Sequence, residues 1–385
     1  MKFPLPDVDA LAYSEALKRR IADEILAAGG WIGFDRFMEL ALYAPGMGYY
    51  SGGAHKFGAA GDFVTAPEIT PLFSQTLAAQ AAQIMALSAP QIIEVGAGSG
   101  RLAADLLLEL EQRRALPEYY GILDLSGELR ERQRNTIAQR APHLLSRVVW
   151  LDYLPEHFDG LALANELLDA MPVHLVVWNE EAIFERGVAW ENEGFVWRDQ
   201  PAAGRVLERA RALADEYSLP PGYVSEINLA ALDWTASWAS ILGKGALLLI
   251  DYGFPRHEYY HPQRDTGTLM CHYRHQAHTD PFFSPGLQDI TAHVDFTALA
   301  EAGFAAGLDF IGYTTQAAFL LNCGLPEVLA RVSADDPARY LPQAQAAQKL
   351  LSPAEMGELF KVIALGKGLG EPLLGFAQGD RSAML

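Results

Sequence analysis

The sequence has almost no cysteine. Only Cys271 and Cys323 occur, far apart and outside any Cys-x-x-Cys spacing. That excludes a disulfide framework and a zinc ribbon, leaves no metal site to expect, and fits a reducing compartment. No run of Lys or Arg builds a stripe along a helix or loop. With a formal charge of −19 and no basic stripe to grip phosphate backbones, nucleic acid is not an expected partner. No segment is long and apolar enough to span a bilayer. The opening stretch, MKFPLPDVDALAYSEALKRR, lacks both an uninterrupted apolar signal core and the Arg-rich, acid-poor character of an organelle presequence. The expectation is a soluble, cytoplasmic protein. Internal repeats and low-complexity tracts are missing too.

What is present is an ordinary folded composition: 385 residues, 50% apolar and 20% charged, enough for a large domain with insertions or a main domain plus a smaller one. Apolar spacing predicts a helix over 9–28, ending at Gly29-Gly30, and a second over 35–43. The glycine- and aromatic-rich stretch from 43 to 73 has little periodicity and reads as a long loop, a common site of binding elements. Short apolar runs then alternate with helical stretches: QIIEV (91–95), YGILDL (120–125), RVVWLD (147–152), GLALAN (160–165) and ALLLIDYG (246–253). Continuous apolar runs are what strands buried on both faces of a parallel sheet look like, so the fold class is α/β, a doubly wound, mostly parallel Rossmann-like sheet. Residues 174–199 alternate like antiparallel strands. Residues 201–241 read as helices broken at Pro220-Pro221-Gly222, 254–294 as another functional loop, and ELFKVIALG as a closing antiparallel edge strand.

In such sheets ligands bind beyond the carboxyl ends of the strands. Those ends carry Glu94 with Gly96, Gly98 and Gly100, then Asp124, Asp152, Asn165-Glu166 and Asp251-Tyr252-Gly253. Individually such residues also cap helices or start turns; jointly, five strands delivering polar groups to one edge favour a site. The glycines alone are ambiguous, because Gly98-Ser99-Gly100 followed by Ala103 also satisfies a relaxed dinucleotide pattern, which keeps a nicotinamide-dependent oxidoreductase open. Glu94 tips the balance. A charge in a buried strand is costly without a hydrogen-bonding role, and the pattern resembles motif I of S-adenosylmethionine (SAM) dependent methyltransferases. Asp124, roughly 20 residues after the glycines, sits where an acid accepts from ribose hydroxyls, and Asp152 where one can face the adenine amine.

With those residues in place, the chain resembles the MidA-like methyltransferases, first catalogued as a domain of unknown function, whose mitochondrial members act in assembly of respiratory complex I. The resemblance runs through GDFVTAPEIT, IIEVGAGSG, NELLDAMPV, ERGV, LLLIDYG, GTL, PGLQDITAHVDF, TTQAAFLL and MGELFKVI. It departs from the family at Leu167 and Leu168, where aromatic residues are usual, and at Asp124, where Glu is common. It implies SAM as cofactor and an arginine of a protein substrate, for mitochondrial members a complex I subunit, as methyl acceptor. An assembly chaperone without turnover is the third reading.

A guanidinium hardly loses its proton and is a poor nucleophile. Carboxylates that grip it through paired hydrogen bonds can orient the attacking nitrogen. Glu166 and Asp169, with Asn165, follow the fourth strand; if a helix starts there, the i, i+3 spacing puts both acids on one face. Both also suit the positive end of a helix dipole with no substrate at all. Asp62, Thr65, Pro67 and Glu68 lie in the preceding loop, which can close over the cofactor or be an ordinary turn. Asp289, His293 and Asp295 can line the substrate side, and Thr291–Phe296 can equally begin a helix. The expected division is 1–75 as N-terminal helices and cofactor-covering loop, 76–180 as the first part of the methyltransferase core, 181–241 as an insertion, and 242–385 as the second part of the core.

Overall fold

The computed structural model describes residues 6–52 and 65–385, and the chain forms two compact units. One comprises Val64–Leu167, Trp234–Phe254 and Phe296–Leu385; the other comprises Met1–Phe63, Leu168–Asp233 and Pro255–Asp295. Among the described residues no helix is long and apolar enough to cross a membrane.

Seven strands of the first unit form one sheet: β1 (Gln91–Val95), β2 (Tyr119–Leu123), β3 (Val148–Leu151), β4 (Phe158–Asn165), β5 (Leu242–Phe254), β6 (Asp309–Thr315) and β7 (Phe360–Lys367). Their order is β6-β7-β5-β4-β1-β2-β3. Strands β1 to β5 pair in parallel, while β7 runs antiparallel to both β5 and β6. The unbroken apolar runs are buried as a two-sided sheet requires: Ile92, Ile93, Leu161, Leu163 and Leu247 to Leu249 are all inaccessible. Helices α1 (Ala66–Ile69), α2 (Pro71–Leu87), α3 (Arg101–Gln112) and α4 (Gly127–Arg140) precede or connect the first strands. In α3 the four-residue spacing of Leu102, Leu106 and Leu110 makes one apolar stripe, which joins Phe73, Leu77 and Ile84 of α2 and Ile137 of α4 in the core.

The second unit holds a sheet with path order Ile32–Gly33, Ile183–Glu191, His174–Trp178, Tyr223–Ile227, and Gly194–Pro201 pairs with Ile183–Glu191. All its pairings are antiparallel. Its core packs Leu17, Ile21 and Ile25 of the Val8–Ala27 helix with Phe34, Phe37 and Met38 of the Phe34–Tyr43 helix and Leu175 and Val188 of the sheet.

Several expectations need correction. β7 is interior, between β5 and β6, and its first seven residues are buried; an edge position is a property of topology that local alternation does not carry. β6, rich in β-branched and aromatic residues, was not anticipated and is the edge. Within 201–241, Tyr223–Ile227 is a strand, its start masked by the Pro-Pro-Gly that reads as a helix break. The 254–294 segment contains strands at Met270–Tyr273, Gln276–His278 and Asp289–Thr291. The loop read to 73 gives way to helix at Ala66, and Phe296, not Thr291, begins the next helix.

In the second unit, His174 Nδ1 lies 2.7 Å from Glu185 Oε1 and 3.5 Å from Asp35 Oδ1. Ligand-type atoms of the three lie within 4.8 Å of one another, but the 2.7 Å contact is that of a hydrogen-bonded ion pair. Burial opposes the His174 charge and Arg205 adds to that, yet Glu185 and Asp35 outweigh them and raise its pKa. Burial likewise raises Asp35 against the pull of His174, with Glu185 and Glu39 adding to the rise. Both folded pKa values lie above the unfolded ones, so this stabilisation is present at low pH and lost as pH rises through the folded values. Melting temperatures measured from pH 5.5 to 8.5 are expected to fall more with pH in the wild type than in His174→Gln; parallel profiles would contradict this role.

Candidate functional site

The strand order reverses between β1 and β4, which opens a crevice at their carboxyl ends. After β1 the chain turns through Gly96 (φ 71), Gly98 (φ 52) and Gly100 (φ 83) into α3. These left-handed values suit glycine, and two of the three also lack room for a side chain. A Cβ on Gly96 would meet Leu167 Cδ1 at 2.8 Å, and one on Gly100 would meet the Gln133 backbone at 2.8 Å. Gly98 differs: among the described residues nothing lies within 4 Å of its Cβ position. The loop is packed on both flanks and open at its middle, beside the N-terminus of α3, where a ligand can approach the backbone.

Glu94 is buried beneath this turn, 2% exposed, and its Oε2 accepts a 2.6 Å bond from the Tyr120 hydroxyl. Burial pushes its pKa up to about 7, against the Tyr120 bond and helped by Asp124. Tyr120 lies one pleat before Ile122, the register partner of Glu94, and so shares its face. Asp124, after β2, is 7% exposed. Its Oδ1 accepts from the Ser126 amide at 2.9 Å and its Oδ2 from Gln133 Nε2 at 2.8 Å. Burial raises its pKa, while Ser126, Gln133 and Arg130 oppose the rise. Asp152 is exposed and pairs with Arg130 Nη1 at 2.7 Å. Arg130 Nε also donates to the Asp124 carbonyl at 2.8 Å, tying the ends of β2 and β3 together.

After β4, Glu166 takes a left-handed conformation, φ 50, which costs a non-glycine residue on the order of 1 kcal/mol. Its amide donates to the Ile250 carbonyl at 2.9 Å, and the next amide, Leu167, to Asp251 Oδ2 at 3.2 Å. These bonds hold the bend. Glu166 Oε1 accepts from Asn165 Nδ2 at 3.2 Å and from the Ala66 amide at 3.3 Å. Asn165 Oδ1 is buried with no hydrogen-bond partner among the described residues, the mark of an acceptor waiting for a donor.

No helix follows β4. Residues 166–173 form bends and a turn, so the expected i, i+3 face is absent and a dipole of such a helix explains neither acid. Asn165 and Glu166 belong to the sheet unit, Asp169 to the other. Asp169 is buried there, its carbonyl accepting from the Ala292 amide at 2.9 Å. In that unit Asp289 Oδ1 accepts from the Tyr50 hydroxyl at 2.9 Å. Asp295 Oδ2 is 3.5 Å from Arg256 Nε, and the His293 amide donates to Thr268 Oγ1 at 3.0 Å.

Of the covering segment, Asp62 lies outside the described residues. Thr65 holds the N-cap position of α1, and Pro67 is buried within it. Glu68 is tied to the glycine turn, where Ser99 Oγ donates to its Oε1 and Arg101 Nη1 lies 3.5 Å from its Oε2. The sequence reading missed Tyr120, Arg130 and Gln133. Only Tyr120 had a signal, its shared face with Glu94; the other two lie on a helix whose apolar pattern says nothing of their partners.

A family model described as "Putative S-adenosyl-L-methionine-dependent methyltransferase" matches residues 76–314. The chain is 28% identical to the mitochondrial protein arginine methyltransferase NDUFAF7 of Danio rerio, over 92% of this chain and 87% of that one. It is 27% identical to the human protein of the same name, over 86% and 78%. A crystal structure of a Burkholderia thailandensis protein bound to S-adenosyl-homocysteine shares 54% identity and a TM-score of 0.97, covering 100% of both chains.

Because the folded pKa of Glu94 is raised, its stabilisation is present at low pH and lost as pH rises through about 7. Glu94→Gln, which keeps an acceptor for Tyr120, is expected to gain stability relative to the wild type as pH climbs from 5.5 to 8.5, by roughly 2 kcal/mol. Denaturant titrations across that range check it; a constant difference would mean Glu94 does not titrate there.

Proposed function

The chain belongs to this family of S-adenosyl-L-methionine-dependent methyltransferases, and from that premise we propose that it methylates an arginine side chain of a protein substrate. Its cofactor is SAM. The turn fits it: among the described residues, the central one of the three glycines alone has open space at its Cβ position, and a buried carboxylate with fixed oxygens stands at the end of the neighbouring strand. In this reading Gly96, Gly98 and Gly100 bring backbone close to the cofactor. Asp124 accepts from the ribose hydroxyls and Asp152 faces the adenine edge. Glu94, with Tyr120, supports the turn from below, and Thr65, Pro67 and Glu68 brace it from α1. The cofactor supplies an electrophilic methyl group on a sulfonium, transferred by in-line displacement.

The observation that carries the arginine assignment is Glu166. A glutamate is held in a left-handed bend at the switch point, next to a buried acceptor, Asn165 Oδ1, that has no donor among the described residues. Non-glycine strain of this kind concentrates at functional sites. A carboxylate and an amide oxygen side by side suit a guanidinium, which offers donors in a fixed fork and no acceptor. Glu166 draws positive charge toward the nitrogens it holds and leaves another oriented toward the methyl. Asp169 is proposed as a further acid for the substrate, and Asp289, His293 and Asp295 as further candidates. The names of the curated relatives support the same acceptor, and the family resemblance points to a respiratory complex I subunit as the protein to test first.

Glu166→Gln keeps an acceptor for the Ala66 amide and removes the charge. SAM affinity by calorimetry is expected to stay within about three-fold, while single-turnover methylation falls by roughly two orders of magnitude or more. Normal turnover with a lowered melting temperature would assign Glu166 to anchoring α1 instead. Heat on titration with NADH and none with SAM would favour the nicotinamide reading. SAM binding with no methylated product from any candidate subunit, read by mass spectrometry, would favour the chaperone.

A further inference from the structure

The side chain of Gln133 on α4 is fully buried, 0% exposed, yet it makes three hydrogen bonds. Its Nε2 donates to Asp124 Oδ2 at 2.8 Å and to the Gly98 carbonyl at 3.1 Å. Its Oε1 accepts from the indole Nε1 of Trp150 at 3.0 Å. An indole N–H can only donate, so the amide oxygen must face Trp150 and the amine must face the carboxylate and the carbonyl. The orientation is fixed by chemistry. Gly100 makes this reach possible, because a Cβ there would collide with the Gln133 backbone and push α4 away from the turn.

We propose that Gln133 is a positioning residue for the cofactor, locking the Asp124 carboxylate and the centre of the glycine turn into one geometry from behind the site. The proposal rests on the reading that Asp124 receives the ribose. Two neighbouring hydroxyls need both oxygens of a carboxylate held in one plane. Ser126 fixes one oxygen and Gln133 the other, so loss of Gln133 lets the plane rotate. The same amine holds the carbonyl of Gly98, the residue whose open side the ligand must approach. One amide therefore sets the distance between the two halves of the site. A group with no exposure does this without touching the ligand.

The test is calorimetry with S-adenosyl-homocysteine on wild type, Gln133→Met, Asp124→Asn and the double variant, each checked by circular dichroism. Gln133→Met is expected to weaken binding at least ten-fold, and in the Asp124→Asn background to cost no more than about three-fold, the share that acts through the Gly98 carbonyl. Gln133→Met should also lose affinity at higher pH than the wild type on acidification, because Asp124 without that donor protonates more readily. Arg130 and Glu94, the other charged groups acting on Asp124, are common to both proteins. Binding within two-fold of wild type, or single effects that simply multiply in the double variant, would overturn the proposal. If Gln133→Met does not fold, Trp150→Phe, which unlocks the amide, should weaken binding at least three-fold, and unchanged affinity there would overturn it too. A wild type that fails to bind the probe would instead overturn the cofactor reading, and normal affinity in Asp124→Asn the ribose assignment.

Discussion

The reversal of strand order between β1 and β4 is the constraint on which the rest of the sheet unit depends. Two parallel strands that leave in opposite directions must each turn sharply at the same edge, and their turns must not collide. The chain meets this with left-handed backbone on both sides, at Gly96 after β1 and at Glu166 after β4. A missing Cβ lets the Leu167 side chain pack against the first turn. On the β1 side glycine makes the conformation cheap. On the β4 side a glutamate occupies it at a cost, held by the hydrogen bond of its own amide to the Ile250 carbonyl and that of the Leu167 amide to Asp251. That asymmetry separates a cradle, which needs only close backbone, from a position that needs a carboxylate.

Around this edge the buried acids are satisfied mostly by neutral donors. Glu94 is met by a phenol, and Asp124 by an amide N–H and a glutamine. Cations sit further out, Arg130 on Asp152 and Arg101 beside Glu68. Neutral donors orient a carboxylate without cancelling its charge, so it remains available to a ligand's own donors. A direct arginine pair would have held the same oxygens more strongly and left them less able to accept from a ribose. The buried acids of the sheet's carboxyl edge are thus held in fixed orientations without a direct ion pair.

Much of this was legible in the sequence, and the parts that were not share a cause. The parallel strands announce themselves because two-sided burial demands continuous apolar runs, and Glu94 stands out because a charge inside such a run needs a partner. The site acids at strand ends follow from the general geometry of α/β sheets. Position in a sheet is different: β7 reads as an edge strand by its alternation and becomes interior only once β6 is known to lie beyond it. The stretch after β4 carries helix-start chemistry in Asn165, Glu166 and Asp169, yet tertiary bonds to β5 impose a bend instead. Gln133 was invisible for the plainest reason. Nothing in its own helix records that a carboxylate, a carbonyl and an indole from three other elements converge on it.

The central claim is that the crevice beyond β1 and β2 holds SAM, with its ribose on Asp124. A crystal structure of this chain grown with S-adenosyl-homocysteine tests it most directly. The account predicts both ribose hydroxyls within hydrogen-bonding distance of the Asp124 carboxylate and the ligand's backbone-facing side against Gly98. Density for the ligand at another place, or a ribose held by a different acid with Asp124 still bound only to Ser126 and Gln133, would contradict it.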